Sequence, residues 1–140
     1  MRDFPVAVEF PMHWGEMDAL GHANHTRFLV WMETARIALF REVGLISKGQ
    51  PTVGPILANI NVDYLAPVHH PADLVCGVRV SRLGRTSFVL EYGVAHVGAP
   101  DELVARASSV IVLVNYEKGI KVEISPALRE SLESLLSSSD

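Results

Sequence analysis

The stretch "MDALGHANHTRFLVWMETAR" (residues 17–36) decides the fold. Its first half holds Asp18, Gly21, His22, Asn24 and His25, and its second half is a periodic apolar run. Asn24 is a good helix cap, and no Pro or Gly interrupts 25–43. Phe28, Leu29, Met32, Ala35, Leu39 and Val43 fall near one stripe at helical spacing, which Trp31 and Ala38 broaden. Gly44 is a plausible stop. The spacing predicts a helix of about 19 residues, roughly 28 Å long. A helix so long and so apolar needs a large surface to lie on.

Alternating stretches supply that surface. Residues 4–12 read as a first strand with Val6, Val8, Phe10 and Met12 on one parity, and Pro5 and Pro11 mark strand ends or an edge. A second strand is expected over 56–65, with Ile56, Ala58, Ile60, Val62 and Tyr64 on one side. Pro67 and Pro71 punctuate the turn that follows. Strands over 74–83 and 86–97 flank a Gly84-Arg85 turn, and the second of them puts Phe88, Leu90, Tyr92 and Val94 on one side. The most apolar run, 103–114, reads as a central strand, and 121–124 as a short extension of the sheet. Pro126 opens a short amphipathic helix over 126–136 carrying Leu128, Leu132, Leu135 and Leu136, and 137–140 reads as a frayed tail. Short links favour antiparallel pairing, because parallel crossovers need a dozen or more residues. The expected class is α+β, an antiparallel β-sheet wrapped around one long central α-helix.

Composition bounds the function. A chain of 140 residues fits one domain (1–140) and hides roughly two thirds of its surface on folding. Hydrophobic residues make up 49% and charged residues 20%, the profile of a folded globule. The formal net charge of -4 and the lack of a basic run weigh against a nucleic-acid partner, though a local basic patch can still hold one ligand phosphate. Cys76 is the only cysteine, which excludes an internal disulfide and suits a reducing compartment. The first residues, "MRDFPVAVEF", lack the apolar core of a signal peptide, and no run approaches a membrane span. The expectation is a cytoplasmic protein.

Three readings of the opening stretch compete. Asp18, His22 and His25 offer metal-ligand atoms, but no HExxH spacing or cysteine pair supports a metal, and none is expected. His69 and His70, in a Pro-bounded turn, read as solvated surface or a ligand rim. The second reading is architectural: Asp18 braces a turn through backbone N–H groups, Gly21 supplies a backbone shape denied to other residues, and Asn24 only caps the helix. The third is acyl transfer. A helix N-terminus presents unpaired N–H groups that stabilise an oxyanion, while a nearby carboxylate attacks a thioester or prepares water. Cys76 sits in an apolar strand and no GxSxG elbow appears, so serine and cysteine nucleophiles fit worse.

These residues, taken together, resemble the hot-dog fold thioesterases, in the 4-hydroxybenzoyl-CoA thioesterase-like branch, over roughly 6–126. Glu16 stands two places before Asp18, Gly21 three after it and His25 seven after it, and Phe28-Leu29, Glu33 and Ala35-Arg36 match the helix signature. "NVDYLAPVHHPADL" (61–74) is similar to the branch's second strand and its turn, and "VSRLGRTSFVLEYGV" (80–94) to its next hairpin. Asn24 replaces the more usual Tyr or Val, and Pro71-Ala72-Asp73 replaces a Gly-Asp turn.

The resemblance implies hydrolysis of an acyl-CoA thioester, with Asp18, His25 and Gly21 as catalytic residues. Asp18 is nucleophile or general base, and the His25 N–H polarises the carbonyl. It implies substrate contacts at His22, Asn24, Asn61, Arg85, Thr86 and Ser87, with Arg85 at a turn tip suited to the phosphates of CoA. It also implies a homodimer or a dimer of dimers with composite sites, and no cofactor beyond the CoA of the substrate. Glu33 and Arg36 read as a surface pair or a subunit contact. Trp14, Phe28, Trp31 and Met32 fit either an acyl pocket or the core. An acyl-carrier-protein thioesterase and a non-catalytic acyl-CoA binding module are the alternatives.

Overall fold

The computed structural model describes residues 1–46 and 51–136, so the serine-rich end expected to fray lies outside the described residues. Among the described residues six strands and two α-helices follow in the order β1 (Val6–Pro11), α1 (His25–Glu42), β2 (Val53–Tyr64), β3 (Asp73–Leu83), β4 (Ser87–His96), β5 (Ala105–Asn115), β6 (Ile120–Lys121) and α2 (Pro126–Glu133), with a single 3-10 turn at Trp14–Glu16. One antiparallel sheet runs β1-β3-β4-β5-β2, with β6 added to β5. α1 packs on one face of this sheet, which is the hot-dog arrangement expected. The run expected to be central is an interior strand, β5, but β4 is the middle one.

The pattern of inward residues explains the sheet. Phe88, Leu90, Tyr92 and Val94 of β4 are all buried, as are Ala105, Ala107, Ser109, Ile111 and Leu113 of β5. β2 departs from its expected parity. Leu57 pairs with Ile111 but Asn59 pairs with Val110, so Ala58 forms a bulge. One extra residue reverses the alternation on either side of it. Ile56 therefore shares the outer face with Val112, while Ile60, Val62 and Tyr64 face inward opposite Ser109, Ala107 and Ala105.

α1 is capped and stopped as its sequence predicts. Asn24 Oδ1 accepts from Thr26 N at 2.9 Å, and Gly44 follows the helix at φ 76°. Its rotation differs from the expected stripe. Phe28, Trp31, Met32, Ala35, Leu39 and Phe40 are buried, but Leu29 is 38% exposed and Arg36 only 7%. Arg36 pairs with Glu33 as expected, but from within the core and not at the surface. Its guanidinium donates to Tyr92 Oη at 3.2 Å, with the Glu33 carboxylate 3.7 Å away. Tyr92 Oη lies 2.7 Å from Ser109 Oγ. Arginine only donates, so the phenol oxygen accepts from Arg36, while the phenol proton and the Ser109 hydroxyl share a hydrogen bond that either group can donate. Burial raises the Tyr92 pKa, outweighing the lowering by Arg36, and so keeps that proton in place. Trp31 and Met32 belong to the core, whereas Trp14 is 73% exposed.

Tyr92→Phe leaves an Arg36 N–H and the Ser109 hydroxyl buried without their partner. The expected loss is about 1–3 kcal/mol. It is checked by the urea midpoint at fixed protein concentration, since an oligomer's stability depends on that concentration.

Candidate active site

The chain before α1 folds into a tight, self-bonded loop. Asp18 N donates to His22 O at 2.8 Å, and Gly21 N donates to Asp18 O at 3.1 Å. The Asp18 side chain closes the same loop. Its Oδ1 accepts from Leu20 N at 2.9 Å and, at a longer 3.4 Å, from His22 N. Gly21 sits at φ 81° with open space where a Cβ would be, so backbone shape and not crowding calls for glycine. The brace and the glycine turn of the architectural reading are both present.

Glu16 holds this loop to the helix. One carboxylate oxygen accepts from His13 N at 2.7 Å and the other from the Trp31 indole at 2.9 Å, while Asn24 N donates to Glu16 O at 2.9 Å. At the helix start, Thr26 N is taken by Asn24 Oδ1 and Arg27 N by Asn24 O. The His25 N–H has no hydrogen-bond partner among the described residues. It carries the partial positive charge of a helix N-terminus.

An open cavity of about 340 Å³ brings these groups together. Asp18, His22, Ala23, His25, Phe28 and Tyr64 line it, with the 65–67 turn as one wall. Tyr64, at the end of β2, donates to His25 O at 3.2 Å and packs its ring edge-on to Phe28 at 5.2 Å. Phe28 thus serves both core and cavity. Strand parity gave Tyr64 an inward side, and nothing in the sequence linked it to the helix start 39 residues away. His69 is exposed, as expected of this turn, and its side chain also reaches back to this loop. Its Nδ1 lies 3.1 Å from Gly21 O, and its ring is 4.7 Å from that of His22.

Other expected contacts are not gathered here within one protomer. Asn61 lies on the sheet face turned away from α1 and donates to Asn59 at 2.9 Å. Arg85 pairs with Glu123 at 2.7 Å across an exposed corner. Tyr64 pairs with Ala105 and Ser87 with Val112. The Arg85, Thr86 and Ser87 turn is therefore about 23 Å from Tyr64 along β5, at roughly 3.3 Å per residue. Cys76 is buried, which pushes its pKa to about 12 against the lowering by Arg36, so it supplies no thiolate. No group of three or more His, Cys, Asp or Glu side chains is arranged to hold a metal ion among the described residues.

A sheet wrapped around one long helix, with a carboxylate-bearing loop just before the capped start of that helix, places the chain among the hot-dog proteins. The thioesterase-like superfamily matches residues 12–132, and the chain belongs to it; its general chemistry is thioester hydrolysis. YneP of Bacillus subtilis (strain 168), named as a candidate acyl-CoA thioesterase, is 27% identical over 111 residues, 78% of this chain and 79% of that protein. The PA5185 protein of Pseudomonas aeruginosa strain PAO1 superposes with a TM-score of 0.89 at 27% identity, over 99% of this chain and 96% of that one. A thioesterase of Thermus thermophilus, solved with coenzyme A and Zn, is 33% identical with a TM-score of 0.82, over 96% of this chain and 97% of its own.

Asn24→Ala removes the cap on Thr26 N. It is expected to cost about 1 kcal/mol of stability, read from the denaturant midpoint.

Proposed function

We propose that this protein is an acyl-CoA thioesterase, acting in the cytoplasm, with Asp18 as the reacting carboxylate. One observation carries the reading: the unpaired His25 N–H and the Asp18 carboxylate share one cavity. The thioester carbonyl oxygen takes the His25 N–H, where the charge of the tetrahedral oxyanion develops. An ionised carboxylate has about four acceptor sites, so two N–H groups on Oδ1 leave Oδ2 for chemistry. As nucleophile, Oδ2 bonds to the acyl carbon, the C–S bond breaks and CoA leaves as thiolate; water then cleaves the mixed anhydride and restores Asp18. As general base, Asp18 takes a proton from water and the hydroxide makes the same attack. Gly21 holds the loop and His22 lines the cavity, while Asn24 acts from outside it as the helix cap. The coenzyme A bound by the Thermus thermophilus relative, and the name of YneP, support CoA as carrier over an acyl-carrier protein.

The site needs a second copy. β2 is an edge strand of 12 residues whose outer edge has no partner among the described residues. Ile56 and Leu57 are exposed on it, and Leu29 and Val30 of α1 are exposed with them. A long apolar edge of this kind calls for cover. Two copies paired along β2 by a two-fold axis run antiparallel, so the partner's opposite sheet end comes to the Asp18 end. The hairpin tip with Arg85, Thr86 and Ser87 then stands about 10–15 Å from the shared edge, at roughly 4.8 Å per strand. That suits phosphates at the far end of an extended pantetheine arm, with Arg85 exchanging Glu123 for phosphate.

Asp18→Asn and Asp18→Ala, tested on a panel of acyl-CoAs, are expected to cut thiol release about 10²–10⁴-fold while the fold persists. Unchanged turnover in either folded variant refutes Asp18 as the reacting group. Arg85→Ala should raise KM for acyl-CoA about tenfold, a loss near 1.4 kcal/mol of binding. It should leave KM for the matching acyl-pantetheine, which lacks the nucleotide, unchanged. Equal effects on both substrates rule out phosphate binding by Arg85.

A further inference from the structure

Asp18 is separated from His69 by one peptide group. The peptide between Gly21 and His22 presents its carbonyl oxygen, Gly21 O, to His69 Nδ1 at 3.1 Å. The N–H of that same peptide, His22 N, points to Asp18 Oδ1 at 3.4 Å. A trans peptide is planar, with C=O and N–H aimed in opposite directions, so fixing one end aims the other. A carbonyl oxygen only accepts, so His69 Nδ1 carries the proton. Two further contacts hold the imidazole in place. Ala23 N donates to Val68 O at 2.8 Å, which clamps the residue just before His69. The His22 ring meets the His69 ring edge-on, with an interplanar angle of 66°.

We infer that His69 is a positioning residue for the reacting carboxylate, acting through the Gly21–His22 peptide. The inference rests on the acyl-CoA thioesterase reading. The chain runs from His69 Nδ1–H to Gly21 O, across the peptide, and from His22 N–H to Asp18 Oδ1. Donation to the carbonyl polarises the peptide and strengthens its N–H as a donor, as hydrogen bonds in series do. The long His22–Asp18 contact is the one that gains most from this. Gly21 has φ 81° and open space where a Cβ would stand, and the loop's own hydrogen bonds, Gly21 N to Asp18 O and Asp18 N to His22 O, flank its peptide without engaging the Gly21 carbonyl. His69 supplies the hold on that carbonyl and so helps keep Oδ2 directed towards the acyl carbon. His69 is not among the residues that line the cavity, so its effect falls on turnover and not on binding.

Two substitutions separate positioning from bulk. His69→Phe keeps a ring against His22 and loses the donor. His69→Asn loses the ring and keeps an N–H near the Nδ1 position. His69→Phe is expected to lower kcat about tenfold with KM within about twofold of wild type. His69→Asn should recover most of that loss. A second readout needs no substrate: the amide proton of His22, followed by NMR in the full-length protein, should move upfield in His69→Phe and stay near its wild-type position in His69→Asn. A wild-type kcat in His69→Phe, or a His22 amide that does not move, overturns the inference. Wild-type protein that releases no thiol from any acyl-CoA overturns the thioesterase reading instead. The amide shift then still decides whether His69 orients the peptide.

Discussion

The rotation of α1 about its own axis is the constraint on which the site depends. Apolar burial is non-directional, and a wide stripe of Phe28, Trp31, Met32, Ala35, Leu39 and Phe40 tolerates more than one rotation on the sheet. The Arg36 guanidinium does not. Buried between helix and sheet, it meets Tyr92 Oη, which is held in turn by Ser109 of the neighbouring strand. A rotation by one residue would strand three polar groups in the core, at about 1–3 kcal/mol each. With that rotation fixed, Phe28 meets Tyr64, Trp31 reaches Glu16, and His25 lines the same cavity as Asp18. A polar contact in the middle of the helix thereby sets the aim of its first turn.

The legible parts were the locally encoded ones. Asn24 and Gly44 bracket α1 because capping chemistry acts within a few residues. β4 announced its inward face because its alternation is unbroken from Phe88 to Val94. β2 misled because the bulge at Ala58 inserts one residue without any Gly or Pro to mark it, and alternation read straight through it puts Ile56 on the wrong face. Leu29 and Arg36 were exchanged between surface and core for a related reason. In a stripe that wide, apolarity does not choose the edge, and only Tyr92, 56 residues from Arg36, settles it.

Legibility of the site divides the same way. The positions of Asp18, Gly21, Asn24 and His25 follow from a motif carried on eight consecutive residues. Tyr64 and His69 enter through contacts spanning 39 and 48 residues, which no local spacing encodes. The motif gives Glu16 only a place ahead of Asp18, but its work is to join the loop to Trp31 and to the His13 backbone. Arg85, Thr86 and Ser87 are legible as an exposed turn. Their distance from Asp18 is a property of the sheet, visible only once β5 places Ala105 and Val112 at its two ends.

The architectural and chemical readings of Asp18 are not rivals. A carboxylate that turns over a thioester must hold its direction without reorganising as charge moves, because reorganisation is what a preorganised site avoids. An exposed Asp on a free loop fails that requirement. Binding one oxygen to two backbone N–H groups meets it and leaves the second oxygen open. The same economy operates at the helix start, where Asn24 consumes the Thr26 N–H and leaves that of His25. Each half of the proposed reaction is therefore served by an atom whose neighbour has been tied down, and the tying is done by the short loop that also fixes where α1 begins.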